Sequence, residues 1–119
     1  LDAALDFLNN ISPSDIQAHE SSLIHQIKES LDQTPFKIIS HLNSSHLISI
    51  ISPKFHSHDI TTILADKQVA VRAGHHCAQP CLNALGIKHC VRISLGLYND
   101  QEDIHRLLKG LKKVSTFLN

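Results

Sequence analysis

Apolar positions along this chain follow two rhythms, one of about 3.6 residues and one of 2, and together they predict its elements. Leu1, Leu5 and Leu8 recur at helical spacing, and Asn9-Asn10 with Ser12-Pro13 break that run. A second helix is predicted from Ser14 as N-cap, with Gln17 three residues on to complete a capping box. Ile16, Leu23, Ile24, Ile27 and Leu31 share its apolar face, Glu20 lies at the edge, and the helix must end before Pro35. Residues 36–40 and 46–52 are β-rich and flank the polar Asn43-Ser44-Ser45, which predicts an antiparallel hairpin. After Pro53, Ile60, Ile63 and Leu64 mark a short helix that begins near Ser57 or His58.

Residues 69–72 and 90–95 read as two further strands, joined by a loop over 74–89 with one helical turn around 82–85. Asp100 caps a last helix whose apolar positions are Ile104, Leu107, Leu108, Leu111 and Val114. Lys109, Lys112 and Lys113 gather toward its C-terminal end, where they complement the helix dipole. The order is helix, helix, strand, strand, helix, strand, strand, helix. Such runs without strict alternation predict an α+β fold: a small, mainly antiparallel four-stranded sheet with helices packed on it, in a single domain over residues 1–119.

Composition changes this picture little. With 42% hydrophobic and 18% charged residues the chain suits an ordinary globular domain. A formal net charge of zero gives no pull toward nucleic acid or an anionic membrane, and no apolar run approaches bilayer length. No secretory signal is recognisable, so a cytoplasmic protein is expected. The absence of methionine and the opening on Leu1 predict a piece of something longer.

The three cysteines, Cys77, Cys81 and Cys90, are odd in number and lie close together, which argues against a disulfide framework. Inert packing is the commoner fate of a free cysteine. The run Arg72-Ala73-Gly74-His75-His76-Cys77-Ala78-Gln79-Pro80 is different: it leaves a strand, turns at Gly74 and presents a cysteine among cationic neighbours. Such surroundings favour the nucleophilic thiolate. In the strand that follows, period-two alternation sets Arg92 and Ser94 on one face against Val91, Ile93 and Leu95 on the other. Arginine in a strand is ordinarily a solvated outer-face residue. Beside a cysteine loop it can also point at the cysteine, and a guanidinium can hold a carboxylate through two parallel hydrogen bonds.

The motif from Arg72 to Pro80, followed by Arg92-x-Ser94 and Tyr98-Asn99, resembles the C-terminal small domain of group II (Suf/Csd-type) cysteine desulfurases, in the class V aminotransferase family. The likeness extends to Leu1-Asp2-Ala3-Ala4-Leu5, to Asp59-Ile60 and to Val69-Ala70-Val71, so it covers essentially the whole chain. It implies that pyridoxal 5'-phosphate, as electron sink, serves a parent enzyme converting L-cysteine to L-alanine. Cys77 would accept the sulfur as a persulfide. Arg92 would bind the substrate carboxylate and Arg72 would support it, with His75, His76, Gln79 and Asn99 as supporting residues. The likeness also implies a SufE-like sulfur-acceptor protein, a homodimeric parent and a place in iron–sulfur cluster assembly. A selenocysteine lyase of the same family is the nearest alternative. The family's cofactor lysine follows a Ser-x-His-Lys motif that is absent here, so no cofactor-binding residue is expected and the chain alone should be inactive.

Cys81 and Cys90 are not required by that pattern. Cys81 lies four residues beyond Cys77, within range to compete for a persulfide, and packing is the plainer account of it. A zinc module built from His75, His76, Cys77, Cys81, His89 and Cys90 is the competing class of function. Its spacing matches no paired zinc knuckle, and no metal ligand is assigned.

Overall fold

A computed structural model describes residues 1–41 and 43–117. Five helices and four strands follow one another: α1 (Asp2–Asn9), α2 (Pro13–Leu31), β1 (Lys37–Ile38), β2 (Leu47–Ile51), α3 (Ser57–Asp66), β3 (Arg72–Gly74), α4 (Gln79–Ala84), β4 (Cys90–Ser94) and α5 (Gln101–Phe117). The strands form one sheet in the order β1-β2-β4-β3, and every neighbouring pair is antiparallel. The α+β architecture therefore stands as predicted, and the helical turn expected around 82–85 is α4, which begins earlier, at Gln79.

Register decides which face is buried. Ile48 pairs with Ile93, Ile50 with Val91 and Ala73 with Val91, so these side chains share one face. Ile48, Ile50, Val91 and Ile93 are all buried there. Against them pack Leu23, Ile24, Ile27 and Leu31 of α2, Ile60 and Leu64 of α3, and Ile104, Leu107, Leu111 and Val114 of α5. Truncating any of these leucines or isoleucines to alanine should cost about 2–5 kcal/mol. The opposite face carries Ser49, Arg72, Cys90, Arg92 and Ser94.

Several boundaries differ from the sequence reading. The N-cap of α2 is Ser12, not Ser14; Pro13 occupies the first turn, where its missing N–H costs nothing. Ser12 and Ser14 pair through their hydroxyls at 2.6 Å, and neither makes a capping-box bond. The third strand starts at Arg72 rather than residue 69, because α3 ends in a tight reversal. Gln68 has φ +61°, its N–H reaches the carbonyl of Ala65, and Val69 N–H reaches that of Leu64. This is a Schellman C-cap with glutamine in the left-handed position. Residues 69–71 are spent leaving the helix. At the other end of α3, His56 Nδ1 accepts from the His58 amide at 3.2 Å.

Asp100 does cap α5, as expected. Asp103 N–H donates to Asp100 Oδ1 (3.1 Å) and Asp100 N–H to Asp103 Oδ2 (3.2 Å), a reciprocal box. At the chain's start, α1 buries none of its residues; Leu5, Phe7 and Leu8 stay exposed.

Candidate functional site

The site is built on the open face where β3 meets β4. Arg72 lies directly opposite Arg92, and Ser49 flanks Arg92 from β2. In an antiparallel pair, residues opposite each other project to the same side, so two guanidinium groups share this face. Among the described residues neither has an acidic partner; the ion pairs are His25–Glu29 and Arg106–Glu102, on other elements. Arg92 Nε is moreover buried with no hydrogen-bond partner. A buried polar group left unmatched costs about 1–3 kcal/mol. Two unpaired cations side by side form an anion receptor, and their fork geometry suits a carboxylate.

Gly74 ends β3 with φ +131°, a backbone angle that side chains rarely adopt. The chain then reverses through residues 75–78, closed by Ala78 N–H on the carbonyl of His75 at 2.8 Å. Both central residues have positive φ, +52° at His76 and +55° at Cys77. Turns of this sense ordinarily use glycine, asparagine or aspartate. Holding histidine and cysteine there costs on the order of 1–3 kcal/mol each. The result is that Cys77 stands exposed at the tip of a tight turn, directly after the arginine-bearing strand.

The two histidines play different parts. His75 is exposed, and its Nδ1 accepts from the Cys77 amide at 3.2 Å, bracing the turn from within. His76 is half-buried, and its Nε2 meets the carbonyl of Cys90 at 3.4 Å. A carbonyl only accepts, so Nε2 carries the hydrogen. His76 Nδ1 is buried and unpartnered. Burial first, then the charges of Arg92, Arg72 and His75, hold this ring below the ordinary histidine range, against the opposing pull of the Cys90 carbonyl.

The other predicted positions are less central. Gln79 is the first residue of α4, exposed, with no side-chain hydrogen bond among the described residues. Asn99 sits in the β4–α5 turn, away from the cysteine loop. Its Oδ1 accepts from Gly96 N–H (2.8 Å) and its Nδ2 donates to Asp103 Oδ2 (3.1 Å). His19 on α2 donates through Nε2 to the Asn99 carbonyl at 2.7 Å. Asn99 thus locks the end of β4 to α5 and α2. His19 and Asp103 were not singled out in the sequence, and a partner 80 residues away leaves no local signal.

Cys81, on α4, is exposed, whereas Cys90 is buried on β4 beneath the loop. Burial pushes the Cys90 thiol up, partly offset by a hydrogen bond with Ser49 and by Arg92. No group of three or more histidine, cysteine, aspartate or glutamate residues is placed to hold a metal ion among the described residues. The zinc reading has no geometry behind it. Nor is an aldehyde cofactor provided for: no Ser-x-His-Lys run exists, and no lysine belongs to β3, the turn, α4 or β4. Among the described residues the site brings together an exposed cysteine and two arginines that lack acidic partners.

Comparison with known proteins bears on the family of the chain. Residues 1–107 match the aminotransferase class-V family. A probable cysteine desulfurase of Pseudomonas putida is 37% identical over 111 residues, covering 93% of this chain and 28% of the relative. One from Vibrio cholerae is 32% identical over 119 residues, covering 99% of this chain and 30% of the relative. In structure, the chain is similar to the cysteine desulfurase CsdA of Escherichia coli, with a TM-score of 0.93 and 30% identity, covering 98% of this chain and 29% of that one. The chain thus spans about 30% of the length of the curated relatives it matches.

Proposed function

Since this chain belongs to the aminotransferase class-V family, we propose that it is the C-terminal, sulfur-accepting domain of a longer pyridoxal-phosphate-dependent cysteine desulfurase. The observation that carries this reading is the placement of one exposed cysteine, Cys77, on a strained turn beside two arginines that lack acidic partners. Arg92, with Arg72 in support, would hold the carboxylate of L-cysteine. Cys77 would then attack the substrate's sulfur. One S–S bond forms, the substrate C–S bond breaks, and the electron pair left on carbon takes up a proton to give alanine. No outside oxidant is needed.

The cofactor supplies an electron sink for breaking bonds at the α-carbon. The residues here do not fit it, so its lysine is assigned to another part of the parent protein. The exposed Leu5, Phe7 and Leu8 of α1 support such an arrangement, since an apolar helix that buries nothing in its own domain suits contact with another. The motif's resemblance to group II cysteine desulfurases extends this reading to a homodimeric cytoplasmic parent that passes its persulfide to a SufE-like acceptor for iron–sulfur cluster assembly.

The test is to supply the parent protein, loaded with pyridoxal phosphate, with L-cysteine and map the sulfur by peptide mass. One added sulfur on Cys77, lost with alanine release in Cys77→Ser, is expected. Persulfide on Cys81 alone, or undiminished turnover in Cys77→Ser, would overturn the assignment.

A further inference from the structure

Two buried polar atoms beside the cysteine turn are complementary and both lack partners: the acceptor Nδ1 of His76 and the donor Nε of Arg92. We propose that His76 is the positioning residue of the carboxylate clamp, its ring pinned to the Cys90 carbonyl through Nε2–H while Nδ1 takes the Nε–H of Arg92 when an anion engages the terminal guanidinium nitrogens. The inference rests on the reading that Arg92 binds the substrate carboxylate.

Three observations support it. First, the Cys90 carbonyl fixes the tautomer, because only a hydrogen on Nε2 makes that contact favourable; Nδ1 of the uncharged ring is then a bare lone pair. Secondly, the charged and titratable groups acting on the ring are Arg92 from β4, Arg72 from β3 and His75 from the turn, none of them acidic. These groups, with burial, disfavour a second proton on the ring and so favour the form whose Nδ1 is an acceptor. Thirdly, the carbonyl that anchors the ring belongs to Cys90, two residues before Arg92 on the same strand, so the ring is held close along the chain to the side chain it would serve. A side-on hydrogen bond at Nε leaves both terminal nitrogens free for two parallel bonds to a carboxylate. An acceptor that adds no negative charge is what this role needs. A carboxylate in its place would compete with the ligand.

The experiment uses the cofactor-loaded parent protein and compares His76→Ala, His76→Asn and His76→Gln. Asparagine places a carbonyl oxygen near the position of Nδ1; glutamine places an N–H donor near that of Nε2. Readouts are KM against kcat for L-cysteine, and the dissociation constant of L-alanine, an amino acid with the same carboxylate and no sulfur. Expected is a rise of about tenfold in both KM and the alanine constant for His76→Ala, equivalent to about 1.4 kcal/mol. His76→Asn should recover most of it and His76→Gln should not. The wild-type KM should also rise as the ring is protonated in acid, and that rise should be absent from His76→Asn. Unchanged alanine affinity in all three variants would overturn the proposal, as would recovery by glutamine rather than asparagine. If His76→Ala fails to fold, the asparagine–glutamine pair still decides. Failure of the underlying reading looks different: Arg92→Ala would leave KM and alanine binding untouched whatever happens at His76.

Discussion

Arg72 and Arg92 face each other across the β3–β4 ladder, like charges in register, with no carboxylate between them. Direct opposition of like charges in a sheet costs about 0.2–1 kcal/mol. A fold gains nothing from such a pair, so its use lies in what it receives. Replacing Arg92 with alanine should therefore leave the chain as stable as before or up to about 1 kcal/mol more stable, read by urea unfolding. In the parent protein the same change should raise KM for L-cysteine by about 100-fold, the scale of a lost charge-assisted pair. A large loss of stability with normal KM would make Arg92 a structural residue.

The three thiols should differ sharply in access. Cys77 and Cys81 are exposed and Cys90 is buried under the loop with its thiol pushed up. Brief alkylation of the native chain followed by peptide mass mapping should modify the first two and spare Cys90, which should react only after unfolding. Equal labelling of Cys90 would mean that the loop opens freely.

Acid should weaken the fold through His89. Burial, then the neighbouring His56, His58 and Lys88, hold this ring below the ordinary histidine range. Its ring lies 4.0 Å from that of His56, between centroids. Because the folded chain resists the proton and the unfolded chain accepts it near pH 6.5, stability must fall as pH drops through that value, levelling off below the folded-state pKa. His76 contributes with the same sign. Asp103 acts lower: its hydrogen bonds to Asn99 and Asp100 hold the carboxyl down, so its contribution is lost as pH falls below the usual carboxylate range. Melting temperatures from pH 8 to 5 should decline, and His89→Gln should flatten part of that decline.

Gln68 occupies a left-handed C-cap position that glycine fills at no steric cost. Gln68→Gly should stabilise the chain by about 0.5–1 kcal/mol, with the midpoint of chemical unfolding as the readout.

That position also shows what the sequence could and could not tell. The alternation Val91-Arg92-Ile93-Ser94 announced both the strand and its faces, because each side chain answers to a period of 2. Asp100 announced the start of α5 for the same local reason. The end of α3 was illegible: a Schellman reversal normally advertises itself with glycine, and here the residue is Gln68, so Val69 to Val71 looked like the strand that begins only at Arg72. The full extent of α4 was hidden because Pro80, a breaker inside a helix, is harmless in a first turn. At the site, Cys77 and both arginines could be named from one motif. The division of labour between His75 and His76 could not, since it depends on which ring turns inward toward Cys90.

Between Leu64 and Val91 no described residue belongs to the buried core cluster. That separation has a genetic consequence. Substitutions at exposed positions of the turn and α4 draw little on the folding energy stored in that cluster, whereas Leu82, which α4 buries, and Gly74, which holds a positive φ, belong with the scaffold. Drift in one register is nearly invisible to selection on the other. A library confined to exposed positions such as His75, Gln79, Cys81 and Asn83 would vary the surface around Cys77 on a scaffold that stays standing.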